Sequence, residues 1–498
     1  MNWLHRFALF LAFALALGIR LYDLTDPPFD FHSTRQFRSA VIARGMYYAG
    51  MDTAPKARRA TAIQQWHDEQ QLEPPILERL VALTYQLPGG EALWKARLLS
   101  SSFWVLGSIA LYALAKELSS PVTALISTLV YLFLPYGIIA SRSFQPDSMM
   151  VMLTVFAAWQ LYRWHLTRTW RDVLLAAIIS GLAILTKAVA LFPIGGAAIA
   201  FLFFDRDWEK SLRDSQTWVF GLLALGPGVA YYAYGLFIAG FLQGQAKQSF
   251  LPNLWLDPTY YARWVNLVVD TIGFAALWIG VVGILLWQSK TARILMAGLW
   301  AGYVVYGLAF PYHIMSHDYY QLPLIPIIAL SLTPSISLIV RQLAQNGISR
   351  WVQGGVAMIV ASAVLFQTWN VRIELARKSY QSDAREWSRF QTIIPPDRMV
   401  VALVQAYGYP LEYYGWVDAE LWSTTGDINL RELAGKSQDE IEQKRWEQLK
   451  GMDLFLVTNF NEFNRQPELK EYLEGFEIFS EGSGYVVYDL KRPLDEQP

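Results

Sequence analysis

Cysteine is absent from this 498-residue sequence, and charged residues make up only 17% of it. The absence of cysteine excludes disulfides, thiolate metal sites and cysteine nucleophiles. Soluble domains average about 25% charged residues, so the low share argues against a chain that is surrounded by water throughout. The net charge is −1, which gives no reason to expect nucleic acid as a partner. The sequence also lacks internal repeats and low-complexity tracts.

Long apolar runs are abundant instead, and 54% of the residues are hydrophobic. Runs of about 17–25 residues, the length that spans a bilayer as a helix, alternate with short polar breaks as far as residue 367. We read the first run as a retained helix, because no small-residue cleavage site follows it. The sequence predicts about eleven spans. Their approximate bounds are 3–21, 98–117, 121–140, 148–165, 172–186, 188–204, 216–240, 264–287, 291–310, 321–340 and 351–369.

The polar breaks predict the orientation of these spans. If the N-terminus is cytoplasmic, the short loops assigned to the cytoplasmic side all carry Lys or Arg, which is the positive-inside pattern. An odd number of spans then places the C-terminal region outside. The sequence therefore predicts a multi-pass membrane protein with its C-terminal region on the extracytoplasmic side.

The sequence changes near residue 370 from long apolar runs to a mixture of charged and apolar residues, and this change predicts two domains. Residues 1–370 form a transmembrane domain with one large outer loop, about residues 22–96. Residues 371–498 alternate short apolar strands (MVVALV, MDLFLV and YVVYDL) with amphipathic helices such as EIEQKRWEQLK. This pattern predicts a small soluble α/β domain with a mostly parallel sheet. The fold class is therefore a polytopic α-helical membrane protein with a C-terminal soluble α/β domain.

The predicted outer face gathers most of the unusual polar residues. Lys187 has apolar sequence on both sides, and an ionisable residue in such a place costs about 2.5–3.5 kcal/mol on insertion scales. Each residue also has a purely structural interpretation. Lys187 could extend its ammonium to the membrane interface, and Asp147, which follows Pro146, could cap the helix that begins there. Residues 35–51 predict a helix lying in the membrane interface, with Arg35 and Arg38 on one face. Lysine, arginine and carboxylates on one face favour a phosphate ligand with chemistry beside it.

Six stretches of this sequence resemble, in order, those of the GT-C glycosyltransferases. They are PPFDFHSTRQFRSAVIARGMYY, EPPILERLVA, ARLLSSSFWVLGSIALYALAKEL, SRSFQPDSMM, GLAILTKAVALFPI and HDYYQLPLIP. The likeness covers about residues 1–330 and is to the branch that contains protein O-mannosyltransferases and the lipid A aminoarabinose transferase. It implies a GT-C-like fold and an enzyme that takes a sugar from a polyprenyl-phosphate donor on the outer face. It also implies that the sugar passes with inversion to a lipid, glycan or protein acceptor. The bacterial style of these motifs and the absence of cysteine indicate the bacterial inner membrane, with the site on the extracytoplasmic face.

The resemblance also implies roles for individual residues. A first-loop carboxylate acts as general base in this family, but the family's Asp-Glu pair is replaced here by Arg35-Gln36. Asp30 is then the first candidate for the base, followed by His32 and by Glu73, which stands where the family has lysine before two prolines. The residues expected to bind the donor phosphate are Arg35, Arg38, Arg142, Lys187, His317 and Tyr320. Asp147 matches a family aspartate that organises the acceptor or a metal.

The sequence leaves open whether a metal ion is bound and which of three functions the chain has. Two or three carboxylates on one face would suit a divalent cation, but the sequence does not establish that one is bound. A transporter or flippase of lipid-linked sugars is one alternative function, although such proteins tend to have repeated halves. A non-catalytic GT-C relative in polysaccharide assembly is the other, and the missing acidic pair favours it.

Overall fold

The computed structural model describes residues 3–70, 72–205, 207–345, 349–433 and 435–494. Two compact units can be distinguished by their internal contacts. The helical unit comprises Met1–Thr25, Gln71–Leu77 and Trp94–Lys378. The α/β unit comprises Asp26–Gln70, Glu78–Leu93 and Ser379–Pro498. The predicted division into domains at residue 370 stays a prediction.

Helices dominate the described chain. Helices α1 to α9 are Trp3–Arg20, Ser33–Ala49, Lys56–Asp68, Ile76–Tyr85, Leu93–Leu118, Pro121–Phe133, Pro135–Ala140, Asp147–Thr167 and Trp170–Thr186. Helices α10 to α18 are Leu191–Ala200, Trp208–Arg213, Ser215–Ala233, Gln243–Ser249, Pro258–Ile272, Phe274–Leu286, Lys290–Ala309, Pro311–Ser316 and Leu324–Ser331. Helices α19 to α27 are Thr333–Gln345, Arg350–Ala376, Gln381–Ser388, Phe390–Ile393, Tyr409–Gly415, Thr425–Leu433, Gln438–Glu447, Phe460–Phe463 and Pro467–Glu474. Short 3₁₀ segments lie at Ala188–Ala190, Pro252–Leu256, Asp318–Gln321 and Gln405–Gly408, and π-helical segments at Phe201–Asp205 and Tyr234–Ile238.

Seven segments of the described chain are long and apolar enough to cross a membrane. They are Trp3–Arg20, Leu93–Leu118, Ala188–Asp205, Ser215–Ile238, Lys290–Ala309, Asp318–Ala344 and Trp351–Ile393. The pair α14 and α15, bent by 98° at Gly273, raises the number to eight if it counts as one span. The predicted class, a polytopic helical membrane protein with a small sheet domain, is confirmed.

The sequence predicts about eleven spans, more than the seven or eight segments found in the structure, because several apolar runs are broken or form short helices. The run 121–140 is divided into α6 and α7, because Leu134 is extended before Pro135. Helix α9 has only 17 residues, and α8, with 21, contains charged residues that lower its hydropathy. Hydropathy averaged over a window of about 19 residues does not register a local break in a helix, so it predicts one continuous span where the structure has short or bent helices.

Glycines allow close helix packing between α10 and α16 in the helical unit. A Cβ atom on Gly302 would overlap the carbonyl oxygen of Phe192, and one on Gly298 would meet the backbone of Ala197. Small residues let the backbones of membrane helices approach closely, which is how such helices associate without a hydrophobic driving force between them. The two helices therefore form a tightly joined pair.

Helix α2 differs from its prediction in its surroundings. The predicted helix over residues 35–51 is present as Ser33–Ala49, but every residue from Gln36 to Met46 is buried. An interfacial helix would keep one polar face in water. The prediction of such a face is wrong, because α2 is covered within the α/β unit, where it contacts α3 and α23.

The sheet of the α/β unit contains five strands in the order β2-β1-β3-β5-β4. They are β1 (Val400–Leu403), β2 (Ala419–Leu421), β3 (Leu454–Val457), β4 (Phe476–Gly482) and β5 (Tyr485–Pro493). Strand β1 pairs in parallel with β2 and β3, whereas β5 pairs antiparallel with β3 and β4. The prediction of a mostly parallel sheet is therefore wrong. The two residues between β4 and β5 can make only a hairpin, and Gly484 supplies its positive φ of 80°.

Candidate functional site

A buried ion pair in the helical unit joins two residues that the sequence singled out. The Lys187 ammonium lies 2.9 and 3.0 Å from the two carboxylate oxygens of Asp147. Only 4% of Lys187 and 2% of Asp147 is exposed. Asp147 is the first residue of α8, and Lys187 has an extended backbone that ends α9. Two interruptions of helix thus bring opposite charges together, and each charge offsets the desolvation of the other.

Aromatic rings surround this ion pair. The Lys187 ammonium nitrogen is 5.1 Å from the ring centroid of Tyr319 and 5.3 Å from that of Tyr320, a distance typical of cation–π contacts. The ring of Tyr320 stacks on His313 at 5.2 Å and lies 5.9 Å from His317. The structure therefore brings together four predicted site residues: Asp147, Lys187, His317 and Tyr320.

An apolar cavity of about 700 Å³ runs along α10 and α16 in the same unit. It begins at Leu191, four residues after Lys187, and extends to Phe204 and Arg293. Its walls are otherwise aliphatic, aromatic and glycine residues. A cavity with this lining accommodates a hydrocarbon chain, because it offers few groups that would need water or hydrogen bonds.

The remaining predicted residues of the helical unit are Arg142 and Glu73. One nitrogen of the buried Arg142 guanidinium donates to the carbonyls of Tyr22 and Asp23, at 2.7 and 3.1 Å. These bonds tie the segment after α7 to the end of α1. Glu73 is half-buried. The expected roles of Arg142 in binding phosphate and of Glu73 as a base stay predictions.

The first candidate base, Asp30, lies in the α/β unit on a loop that is held in place by its neighbours. The Gln36 side chain donates to the carbonyls of Phe31 and Pro28, at 2.5 and 3.3 Å. His32 adopts a left-handed backbone (φ 43°, ψ 59°) at the start of α2, which is unfavourable for a residue with a Cβ atom. Strained backbone tends to occur at functional sites, where the surrounding structure enforces it. The loop is thus preorganised, and the roles of Asp30 and His32 stay predictions.

The two arginines predicted on one face of α2 have different surroundings. Arg35 is half-buried, whereas Arg38 forms an ion pair with Glu69 at 3.3 Å and donates to the carbonyl of Gln70. The Tyr409 hydroxyl donates to the same Glu69 carboxylate at 3.1 Å. Burial, partly offset by Arg38, raises the pKa of Glu69 to about 7. Arg38 is therefore engaged by a protein carboxylate, and its role with phosphate stays a prediction.

Arg44 is a buried residue whose importance the sequence did not reveal. Its guanidinium donates to the carbonyls of Tyr413 and Glu412 at 2.6 and 2.8 Å, and lies 4.0 Å from the Trp416 ring centroid. It also donates to the side-chain oxygen of Gln65 at 2.6 Å. Arg44 thus links α2 to the C-terminal end of α23 inside the α/β unit. The stretch PLEYYGW, which resembles the family only loosely, was the one available signal.

The divalent cation that the sequence left open stays a prediction. Among the described residues, no group of three or more histidine, aspartate or glutamate side chains is placed to hold a metal. Both carboxylate oxygens of Asp147 accept hydrogen bonds from Lys187. We therefore assign no reaction step to a metal.

Comparison with solved structures identifies the fold. ArnT from Cupriavidus metallidurans, in the crystal structure bound to undecaprenyl phosphate, is 16% identical with a TM-score of 0.60. The match covers 96% of this chain and 97% of ArnT. The fold is that of the GT-C glycosyltransferases. The apo form of the same ArnT matches with a TM-score of 0.58 and 17% identity over the same shares of the two chains.

A second GT-C structure and a family model agree with this assignment. The oligosaccharyltransferase AglB from Archaeoglobus fulgidus, in complex with an inhibitory peptide and a dolichol-phosphate, has a TM-score of 0.59 at 13% identity. That match covers all of this chain and 75% of AglB. The family model described as dolichyl-phosphate-mannose-protein mannosyltransferase matches residues 72–231. A search of curated protein sequences found no match.

The predicted site residues fall into two sets. The helical unit holds Asp147, Lys187, His317 and Tyr320 as one cluster, and also contains Arg142 and Glu73. The α/β unit holds Asp30, His32, Arg35 and Arg38. Glu69, Glu412 and Tyr409 escaped the sequence reasoning, because residues more than 300 positions apart leave no local signal of their contact.

Proposed function

We propose that this chain is an inverting membrane glycosyltransferase that uses a polyprenyl-phosphate sugar as its donor. The acceptor is a lipid, glycan or protein on the extracytoplasmic face of a bacterial inner membrane. The main support is that the helical unit holds both a buried ammonium, that of Lys187, and an apolar cavity along α10, whose first lining residue, Leu191, follows Lys187 by four positions in the sequence. A polyprenyl phosphate combines the same two properties, a long hydrocarbon chain and an anionic end. Undecaprenyl phosphate bound to ArnT and dolichol-phosphate bound to AglB add support from the shared fold.

Lys187 would stabilise the leaving group. As the bond between the anomeric carbon and the phosphate oxygen breaks, its electron pair leaves with the polyprenyl phosphate, and negative charge grows on the phosphate oxygens. An ammonium held in a buried site stabilises that charge more strongly than one in water. Asp147 holds the ammonium in position, the ring of Tyr320 lies against it, and the ring of His317 lies beside that of Tyr320.

The acceptor hydroxyl would lose its proton to a first-loop base. Its oxygen attacks the anomeric carbon from the side opposite the phosphate, which inverts the configuration, and the proton moves to the carboxylate of Asp30. General base catalysis of this kind contributes about 10²–10⁴-fold to a rate. His32 and Glu73 are the alternative bases. The bonds from Gln36 to the backbone of the Asp30 loop would keep the carboxylate in position.

The experiment is an assay of polyprenyl phosphate release from a panel of labelled polyprenyl-phosphate sugars, with purified protein reconstituted in lipid. We expect release by the wild type and a loss of about 10²-fold or more in Asp30→Asn. Asp52→Asn is the matched control, because Asp52 lies in the same loop with 92% of its side chain exposed. It should retain wild-type turnover.

Other outcomes distinguish the alternatives. Full turnover in Asp30→Asn with loss in His32→Gln or Glu73→Gln would move the base to that residue. Passage of intact donor across the membrane of proteoliposomes, without release of polyprenyl phosphate, would establish a flippase and overturn the proposal. Binding of donor with neither release nor transport would identify a non-catalytic relative.

A further inference from the structure

A second cavity, in the α/β unit, is lined by acidic side chains. It has a volume of about 650 Å³. The five carboxylates that line it are those of Asp68, Glu69, Glu412, Asp418 and Glu420. No lysine, arginine or histidine is among its lining residues in the described part of the chain. The cavity therefore presents mainly carboxyl oxygens, which are hydrogen-bond acceptors when ionised, to whatever enters it.

Two polar side chains of this cavity each have one buried atom without a hydrogen-bond partner among the described residues. Gln65 is 2% exposed, and its side-chain nitrogen has no partner within the described residues. Its side-chain oxygen accepts from Arg44 at 2.6 Å, which fixes the orientation of the amide. Glu412 is half-buried, but one of its carboxylate oxygens is fully buried and likewise has no partner among the described residues. Buried polar atoms are nearly always hydrogen-bonded, so these two atoms indicate a ligand that supplies their missing hydrogen-bond partners.

The charges of the cavity are only partly compensated by the protein. Arg38 pairs with Glu69, and the Gln64 amide donates to Asp418 at 2.9 Å. Desolvation raises the pKa of Glu412 well above its ordinary value. Partial desolvation also raises the pKa of Asp418, although that residue is exposed, and neighbouring carboxylates add to both shifts. Ionised carboxylates in this environment are costly, and a bound cation would offset that cost.

The size and chemistry of the cavity restrict the cation. The described residues contain no group of three carboxylate or histidine ligands suited to a metal ion. A cavity of about 650 Å³ has the volume of an organic ligand rather than of a single ion. A protonated primary amine has three N–H donors, which suit several carboxylate oxygens, and the Gln65 nitrogen can donate to a neutral oxygen nearby.

We propose that this acidic cavity binds a protonated primary amine, carried either by an amino sugar or by a lysine side chain. Glu412 and Asp418 accept hydrogen bonds from the ammonium, while Gln65 donates to an oxygen of the same ligand. The site goes beyond the proposed transfer reaction, and it can be tested without any turnover. If the chain is a transferase, an amine-bearing acceptor is the natural occupant.

Isothermal titration calorimetry on the full-length protein in detergent tests the proposal. The probes are methyl glucosaminide with its N-acetyl derivative, and a lysine-containing tripeptide with its N-acetyl-lysine derivative. We expect at least one amine to bind and its acetylated partner, which has lost the positive charge, to bind at least tenfold more weakly. Whichever amine binds identifies the source. Equal binding of the charged and acetylated forms, or no binding by either amine, would overturn the proposal.

Variants localise the binding to this cavity. Glu412→Gln and Asp418→Asn should each weaken amine binding about tenfold or more, since a hydrogen bond to a charged group is lost. Glu471→Gln is the matched control, because Glu471 is exposed on α27 of the same unit. Asp418 is an exposed residue, so Asp418→Asn should fold even if Glu412→Gln does not. Unchanged affinity in Asp418→Asn, with normal thermal unfolding, would contradict the assignment.

Discussion

Substitutions in the buried pair of Lys187 and Asp147 should affect stability and activity differently. Only 6% and 3% of the two side chains is exposed, and both carboxylate oxygens are within 3.0 Å of the ammonium. Lys187→Met or Asp147→Asn alone leaves a charge without its partner, so each should lower the free energy of unfolding by about 3–5 kcal/mol. Replacing both residues removes both charges. The double variant should therefore recover most of that loss.

Activity should not follow stability in this series. The double variant lacks the ammonium that stabilises the leaving phosphate, so it should fold well and still fail to release polyprenyl phosphate. Unfolding is measured by reversible SDS titration in mixed micelles, and release by the donor assay with the same preparations. The partly exposed pair of Arg163 and Glu117, 3.6 Å apart, is the control, and Arg163→Met should cost less than about 1 kcal/mol.

Two results would refute this reasoning. If the double variant is as unstable as the sum of the two single variants, the charges do not stabilise each other, and the coupling energy is zero. If the double variant is stable and releases polyprenyl phosphate at the wild-type rate, Lys187 does not act on the leaving group.

Three further predictions concern packing, pH and position. Gly302→Ala should destabilise the helical unit, because the new Cβ atom is forced against the Phe192 carbonyl. Thermal unfolding in detergent should show a lower unfolding temperature for this variant. Gly354→Ala is the control and should unfold at the wild-type temperature, because a Cβ atom there meets open space. The pKa of Glu69 rises from an ordinary 4.5 to about 7 on folding, so its ionisation lowers stability as pH rises through that window. Relative to Glu69→Gln, the wild type should lose about 3 kcal/mol between pH 4.5 and pH 7.5. Gln36→Leu should lower kcat more than it raises KM for the donor, because it frees the Asp30 loop.

Each of these predictions has an outcome that contradicts it. Equal unfolding temperatures for Gly302→Ala and the wild type would show that α10 and α16 separate without cost. Parallel pH profiles of wild type and Glu69→Gln would mean that Glu69 titrates at its ordinary pKa. An unchanged kcat in Gln36→Leu would remove the loop from the reaction.

The helices could be predicted from the sequence more easily than their interruptions. Apolar run length is a local property, so α1, α5 and α16 lie close to their predicted bounds. The break before Pro135 and the bend at Gly273 depend on single residues, which a sum over a window conceals. Strand β2 has three residues and β4 is largely exposed, so neither shows the apolar pattern that revealed β1, β3 and β5.

The candidate site was predictable where topology alone brings residues together. Asp147 and Lys187 both lie where a helix begins or ends on the same predicted side, and the structure pairs them. The contact between Glu69 and Tyr409 has no such signal, because it depends on the docking of two sequence-distant parts of the α/β unit. The same holds for the burial of Arg44, which a charged residue in a predicted outer loop does not suggest.

The bonds from Arg44 to α23 have a consequence for biosynthesis. The α/β unit is assembled from segments before residue 94 and after residue 378, and about 285 residues, Trp94–Lys378, separate them. At about 5–20 residues per second, the ribosome needs roughly 15 to 60 s to make that stretch. During this interval α2 and α3 have been synthesised without the partner that covers them, so newly made chains should depend on chaperones until translation ends.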